Sequence, residues 1–109
     1  MSACFIYVTA ADATEARRLG KRLVEARLAA CANVVDSMTS IYRWEGELVE
    51  DSEAVLILKT QADLVDPLTA LLLELHSYDR PCVVALPVIG GSSQFIDWIS
   101  AETETVDRA

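Results

Sequence analysis

The sequence predicts an α+β fold of the ferredoxin-like βαββαβ kind, a sandwich with both main helices on one side of an antiparallel sheet ordered 4-1-3-2. Three observations carry that prediction. The stretch SIYRWEGELVEDSEAVLILKT, Ser40–Thr60, reads as one long β-hairpin between the second and third strands, turning at Glu45-Gly46, where glycine supplies the positive φ of a tight reversal. Segments of helical spacing lie on either side of it. Short β-rich runs then open and close the series.

The elements follow in order. Ala3–Thr9, with Phe5, Ile6, Tyr7 and Val8, is the first strand. Asp12 with Glu15 three residues on has capping-box spacing, and Ala16, Leu19, Leu23 and Ala26 then fall on one helical face. After the small residues Ala29–Ala32 comes the second strand, Asn33–Trp44, and the return arm runs to Thr60. Leu64, Leu68, Leu71, Leu72 and Leu75 mark the second helix, with Asp66 as its expected cap because Pro67 fits only a first turn. Ser77–Pro81 breaks that helix, Val83–Ile89 is the fourth strand, Gly90-Gly91 turns the chain, and Phe95–Ile99 gives a short C-terminal helix. Residues 1–100 make a single domain, with 101–109 as a loose tail.

Composition narrows the class. The 109 residues suffice for one core, and 52% apolar with 24% charged residues describes a soluble globule without an apolar run long enough to span a membrane. No basic N-terminal region precedes the short Cys4–Val8 run, so the expected compartment is the cytoplasm. Three cysteines without a C-x-x-C pair predict reduced thiols rather than a disulfide framework. A net charge of −8 disfavours nucleic acid and anionic lipid as partners. Ala54–Leu58 and Val83–Val88 are nearly continuous apolar runs, which predicts a sheet buried on both faces. Two helices cover one face. A second copy of the chain is the simplest cover for the other, and a homo-oligomer is expected.

The blocks ARLAACAN (Ala26–Asn33), SIYRWEGELVEDSE (Ser40–Glu53), ILKT (Ile57–Thr60), ELHSYDRP (Glu74–Pro81) and ALP (Ala85–Pro87) resemble, in this order, the CutA family, named for divalent cation tolerance. The likeness covers the chain from about Thr9 to Trp98. It implies a homotrimer whose hairpin arms pack between neighbours, an architecture similar to PII-type signalling proteins, and a role in the response to divalent metal ions through copper or another divalent cation. The copper site proposed for the family uses a cysteine at the end of the first strand and two adjacent histidines at the end of the second helix. Those places here hold Val8, Leu75 and His76, so that site is not carried over intact.

His76, the single histidine, is the first metal candidate, and Cys31 and Cys82 are thiols suited to Cu(I). Their bland readings are a histidine at a helix C-terminus and two small buried hydrophobes. The carboxylates Glu45, Glu47, Glu50, Asp51 and Glu53 along the hairpin read as a solvated edge that deters aggregation. Candidates for a small-ligand cleft between subunits are Trp44 and Tyr78, with Tyr42, around Lys59 as an anion anchor, and Asn33 at the start of strand two. The competing reading makes Trp44 and Tyr42 subunit-contact anchors. No Gly-rich phosphate loop, nucleophile elbow or metal-hydrolase histidine pair is present, and no catalytic residue is assigned. The reading is therefore a cytoplasmic trimer of metal-ion tolerance. A PII-like module that binds a small anion and signals to a protein partner, or a structural scaffold, stand as alternatives.

Overall fold

The computed structural model describes residues 2–103. Strand β1 (Ala3–Ala10) leads into helix α1 (Ala13–Glu25), and the hairpin is formed by β2 (Cys31–Trp44) and β3 (Glu47–Gln61). A single 3₁₀ turn, Ala62–Leu64, runs into α2 (Val65–Leu75), followed by β4 (Val83–Pro87) and α3 (Ser93–Ala101). The sheet order is β2-β3-β1-β4 with every pair antiparallel, which is the expected 4-1-3-2 order read from its other edge.

Helix α1 starts as its spacing predicts. Asp12 accepts from the Glu15 backbone N–H at 2.8 Å, and the Glu15 carboxylate reaches back to the Ala11 N–H at 3.0 Å. The helix then lies so close to the sheet that a Cβ on Gly20 would sit 3.0 Å from the Ala32 Cβ and 3.2 Å from Leu56 Cδ1. Small residues at 29–32 therefore belong to packing rather than to a loop, and β2 begins at Cys31, two residues before its expected start. Helix α2 lacks the expected Asp66 cap. Leu64 occupies the cap position without a side-chain bond, because the chain arrives already coiled from the 3₁₀ turn, and Pro67 sits in the first turn where its missing N–H costs nothing. Strand β4 stops at Pro87, short of Ile89. The Val88 N–H still bonds the Ala3 carbonyl, but β1 begins at Ala3 and leaves Ile89 no partner.

One sheet face carries Cys4, Ile6, Val8 and Ala10 from β1 with Ala54, Leu56 and Leu58 from β3, buried against Leu19 and Leu23 of α1 and Leu68 and Leu72 of α2. The opposite face carries Phe5, Tyr7 and Thr9 opposite Lys59, Ile57 and Val55, flanked by Leu86 and Val84. It was expected to be covered by a second copy of the chain. In the single chain Val35, Val84 and Leu86 are about half exposed, at 51%, 48% and 51%, because the helices stand on the other side.

The turn at Glu45-Gly46 has both residues at positive φ (50° and 82°), the two-residue reversal that suits the twist of a hairpin. A bulge at Asp36-Ser37, with Ser37 at φ 61°, separates the Val35–Val55 pair from Met38–Glu53, and from there outward the hairpin projects past the end of β1 at Ala10. Residues 101–103 are not loose as expected. Ala101 ends α3, and Thr103 is buried where its hydroxyl accepts from Gln61 Nε2 at 2.6 Å. The rest of the expected tail, 104–109, lies outside the described residues.

Candidate functional site

Where the projecting hairpin meets the loop after α2, the surface opens into a cleft of about 480 Å³ lined by Tyr42, Trp44, Glu53, Tyr78, Arg80 and Cys82, with Thr9 and Asp79 completing it. Strand periodicity puts the hairpin residues there. The pairs Met38–Glu53, Ser40–Asp51, Tyr42–Val49 and Trp44–Glu47 share one side of the ladder, so two rings and three carboxylates face the same way. Tyr78 is fixed by its hydroxyl, which donates to Glu53 Oε2 at 2.8 Å, and Tyr42 donates to Asp51 Oδ2 at 2.8 Å. Burial and then the Glu53 carboxylate push the Tyr78 phenol well above its usual range. The hydrogen bond to Asp51, reinforced by partial burial and the charges of Asp51 and Glu53, pushes Tyr42 up as well.

His76 borders the cleft without opening into it. Its side chain is fully buried, with Nε2 2.8 Å from the Thr9 carbonyl and Nδ1 accepting the Tyr78 N–H at 3.0 Å. Those partners put the proton on Nε2 and leave no free lone pair for a metal. The ring also packs 4.8 Å from that of Tyr78. Beside it the Glu15 carboxylate accepts the Ser77 N–H at 2.9 Å, lies 3.9 Å from His76 Nδ1 and pairs with Arg18 at 3.5 Å. Burial pushes the Glu15 carboxyl up. The donors from Ala11 and Ser77 outweigh that and hold it below its usual value. This knot ties the start of α1 to the end of α2. His76 is thus a pin at the α2 terminus in place of the expected ligand.

The remaining sequence candidates disperse. Lys59 does not form the base of the aromatic cleft. It stands at the opposite end of the sheet face with its Nζ 5.4 Å from the Phe5 ring and 5.2 Å from the Phe95 ring, six residues along β3 from Glu53, about 20 Å of strand. Cys31 pairs with Lys59 at that end, its Sγ 4.0 Å from Asn33 Oδ1, whereas Cys82 is exposed in the cleft. The two thiols therefore do not converge. Cys31 and Cys82 are also not the buried hydrophobes of their bland reading, a role that Cys4 fills. Among the described residues no group of three or more His, Cys, Asp and Glu side chains gathers at metal-binding range. Val8, at one proposed copper position, points into the core.

Glu53, Asp79 and Arg80 were not singled out by the sequence reading as lining residues. For Glu53 a signal existed, since it shares strand parity with Val55 and Ile57. Asp79 and Arg80 lie in a loop, where no periodicity applies.

A family model described as CutA1 divalent ion tolerance protein matches residues 4–102. The chain belongs to the CutA1 family. It is 43% identical over 98 residues to the divalent-cation tolerance protein CutA of Thermus thermophilus, covering 90% of this chain and 95% of the relative. It is 41% identical over 98 residues to the chloroplastic protein CutA of Arabidopsis thaliana, covering 90% of this chain and 54% of that protein. The chain thus spans about half the length of the plant relative. Among solved structures, CutA1 from Oryza sativa superposes with a TM-score of 0.94 at 36% identity, with 97% of each chain covered. A CutA1 fold and the divalent-cation tolerance family are therefore established. No helix among the described residues is long and apolar enough to cross a membrane.

Proposed function

We propose that this CutA1-family chain serves divalent metal ion tolerance as a cytoplasmic, non-catalytic homotrimer that binds its ligand at the cleft beside the hairpin. The observation that carries the reading is the uncovered sheet face. Phe5, Tyr7, Ile57, Val84 and Leu86 form an apolar surface that continues directly into the Tyr42–Trp44–Tyr78 cleft, so the surface suited to covering by another copy and the pocket suited to a ligand are one continuous face. Copper or another divalent ion would meet Cys82 there, a soft donor open to solvent, rather than His76. The PII-like alternative, a small anion held by Lys59, loses support because Lys59 is spent on Phe5 and Phe95 and the cleft keeps Arg80 against Glu53 and Asp79.

Light scattering across a dilution series tests the assembly, with a trimer mass expected at micromolar concentration and a stable monomer overturning it. An anaerobic titration with Cu(I) and Cu(II) against chelators tests the metal. Binding lost in Cys82→Ser and retained in His76→Ala supports this site, and the reverse pattern contradicts it.

A further inference from the structure

Positive charge on this acidic chain is gathered on one helix. Residues 13–27 carry five basic and two acidic side chains, whereas the rest of the chain carries four and fifteen. On α1, Arg17 and Lys21 stand four residues apart and so do Arg18 and Arg22, placements of like charge that cost a helix stability. Arg18 is held by the Glu15 carboxylate and the Leu75 carbonyl. The side chains of Arg17, Lys21 and Arg22 are exposed and make no hydrogen bond or ion pair among the described residues, although Glu25 lies four residues after Lys21. Beside Arg17 and Lys21 the surface dips into a groove of about 460 Å³, lined also by Val24, by Ala32 and Val34 of β2 and by Trp98 of α3. This surface belongs to the helix layer. Leu19 and Leu23 anchor α1 to the core face of the sheet, so the basic rim lies on the far side from the face that a second copy would cover. The groove meets β2 before the bulge at Asp36-Ser37, from which the hairpin projects.

We propose that this groove and its rim dock an acidic peptide segment of a partner protein, with carboxylates on Arg17 and Lys21 and a bulky apolar side chain against Val24 and Trp98. A bound carboxylate relieves the repulsion that the helix otherwise carries unrelieved, and an apolar anchor removes Val24 and the Trp98 ring from water. Charges further away than about 8 Å are screened at physiological ionic strength, so the peptide meets the stripe rather than the remote carboxylates. Nucleic acid fits less well, because a phosphate backbone brings no apolar side chain for the groove and the molecule as a whole carries a net charge of −8. An anionic membrane is flat and leaves the groove empty. The surface is separate from the cleft beside the hairpin, and the proposal goes beyond the metal reading of that cleft.

The probe is a fluorescein-labelled peptide, Glu-Glu-Leu-Phe-Glu-Glu, followed by anisotropy on the full chain in its native assembly at fixed ionic strength, with the mass of the assembly recorded. Saturable binding is expected, weakened about tenfold when Arg17→Gln and Lys21→Gln are combined. Both side chains are exposed and unpaired, so the double variant should melt with the native protein, and weaker binding then reports lost contacts. Replacing Leu-Phe of the peptide by Ser-Ser should weaken binding at least about tenfold. Arg43→Gln, on the hairpin, should change affinity by less than about twofold. Absence of saturable binding, indifference to the double variant or to the loss of Leu-Phe, or tighter binding of an oligothymidylate or a phosphatidylserine vesicle overturns the proposal. An assembly whose mass grows with protein concentration and falls back when the peptide is added would show a second copy in the groove and overturns it likewise. The copper titration of Cys82 reads a different surface, so failure here leaves the reading of the cleft standing.

Discussion

The Glu15–His76 knot and the cleft beside it are built from neighbouring residues, yet they differ in how fully their polar groups are satisfied. In the knot, both His76 nitrogens and both Glu15 oxygens have partners. In the cleft, Asp79 and Arg80 have none among the described residues, and Glu53 uses one oxygen of two. Saturation explains why the knot can be buried, since a buried polar group without a partner is costly. Spare capacity at the surface is cheap because water fills it, and it is there that a ligand can replace water. The chemically rich residue His76 is therefore structural, while ordinary strand and loop carboxylates hold the functional promise.

Substitutions should separate the two regions by the size of their effect on stability. His76→Ala leaves a cavity, strands the Tyr78 N–H and should cost about 2–4 kcal/mol in denaturant unfolding, with copper affinity unchanged. A loss below about 0.5 kcal/mol would show that the pin is not structural. Glu15→Gln should cost about 2 kcal/mol near neutral pH, because a carboxylate serving two backbone donors is replaced by a neutral amide. Its lowered pKa fixes the sign of the pH effect. The stabilisation is fully present above the unfolded carboxyl value of about 4.3 and is lost as pH falls through the lower folded value, so native protein and variant should converge in acid. Equal separation of their melting curves at every pH would contradict the ionised role.

A third polar site lies between these extremes. Gln61 donates to Thr103, whose hydroxyl bonds the Ile99 carbonyl at 3.0 Å, while the buried Gln61 Oε1 has no partner among the described residues. Thr103→Val should cost about 1 kcal/mol by stripping the amide of its one bond, and truncation before Thr103 should cost at least as much. No change in either would mean that the chain end contributes nothing to packing. Smallest of all, Glu53→Gln should alter stability by less than about 0.5 kcal/mol. It should nevertheless lower the Tyr78 phenol part of the way, with burial still holding it above its ordinary value of about 10, read by ultraviolet titration at 295 nm. An unmoved phenol would show that burial alone raises it and that the Glu53 charge contributes nothing.

Much of the fold was legible in the sequence because its signals are local. The hairpin turn needs residues at positive φ, the α1 cap needs an acid at a fixed spacing, and the leucines of α2 recur at the helical period. Errors fell at boundaries decided by distant partners. Gly20 of α1 lets Ala32 into strand β2, and the beginning of β1 at Ala3 decides where β4 can end. Of the candidate residues, Trp44 and Tyr78, expected around Lys59, line one cleft without it, Cys82, expected as a metal thiol, lines that cleft apart from Cys31 and His76, and Lys59, Asn33 and Cys31 lie at the other end of the sheet.

By itself, the sequence determined the order of elements and the hairpin through spacing along the chain, the sheet order through the topology that this order of elements favours, and the resemblance to CutA through the residues of its blocks. Tertiary structure alone decided which polar groups are spent. The bonds from His76 to Thr9, Glu15 to Ser77 and Tyr78 to Glu53 join residues 67, 62 and 25 positions apart, and no local period encodes such a meeting. Whether a side chain is a pin or an open ligand depends on those long-range contacts, which form only once helices and strands have packed.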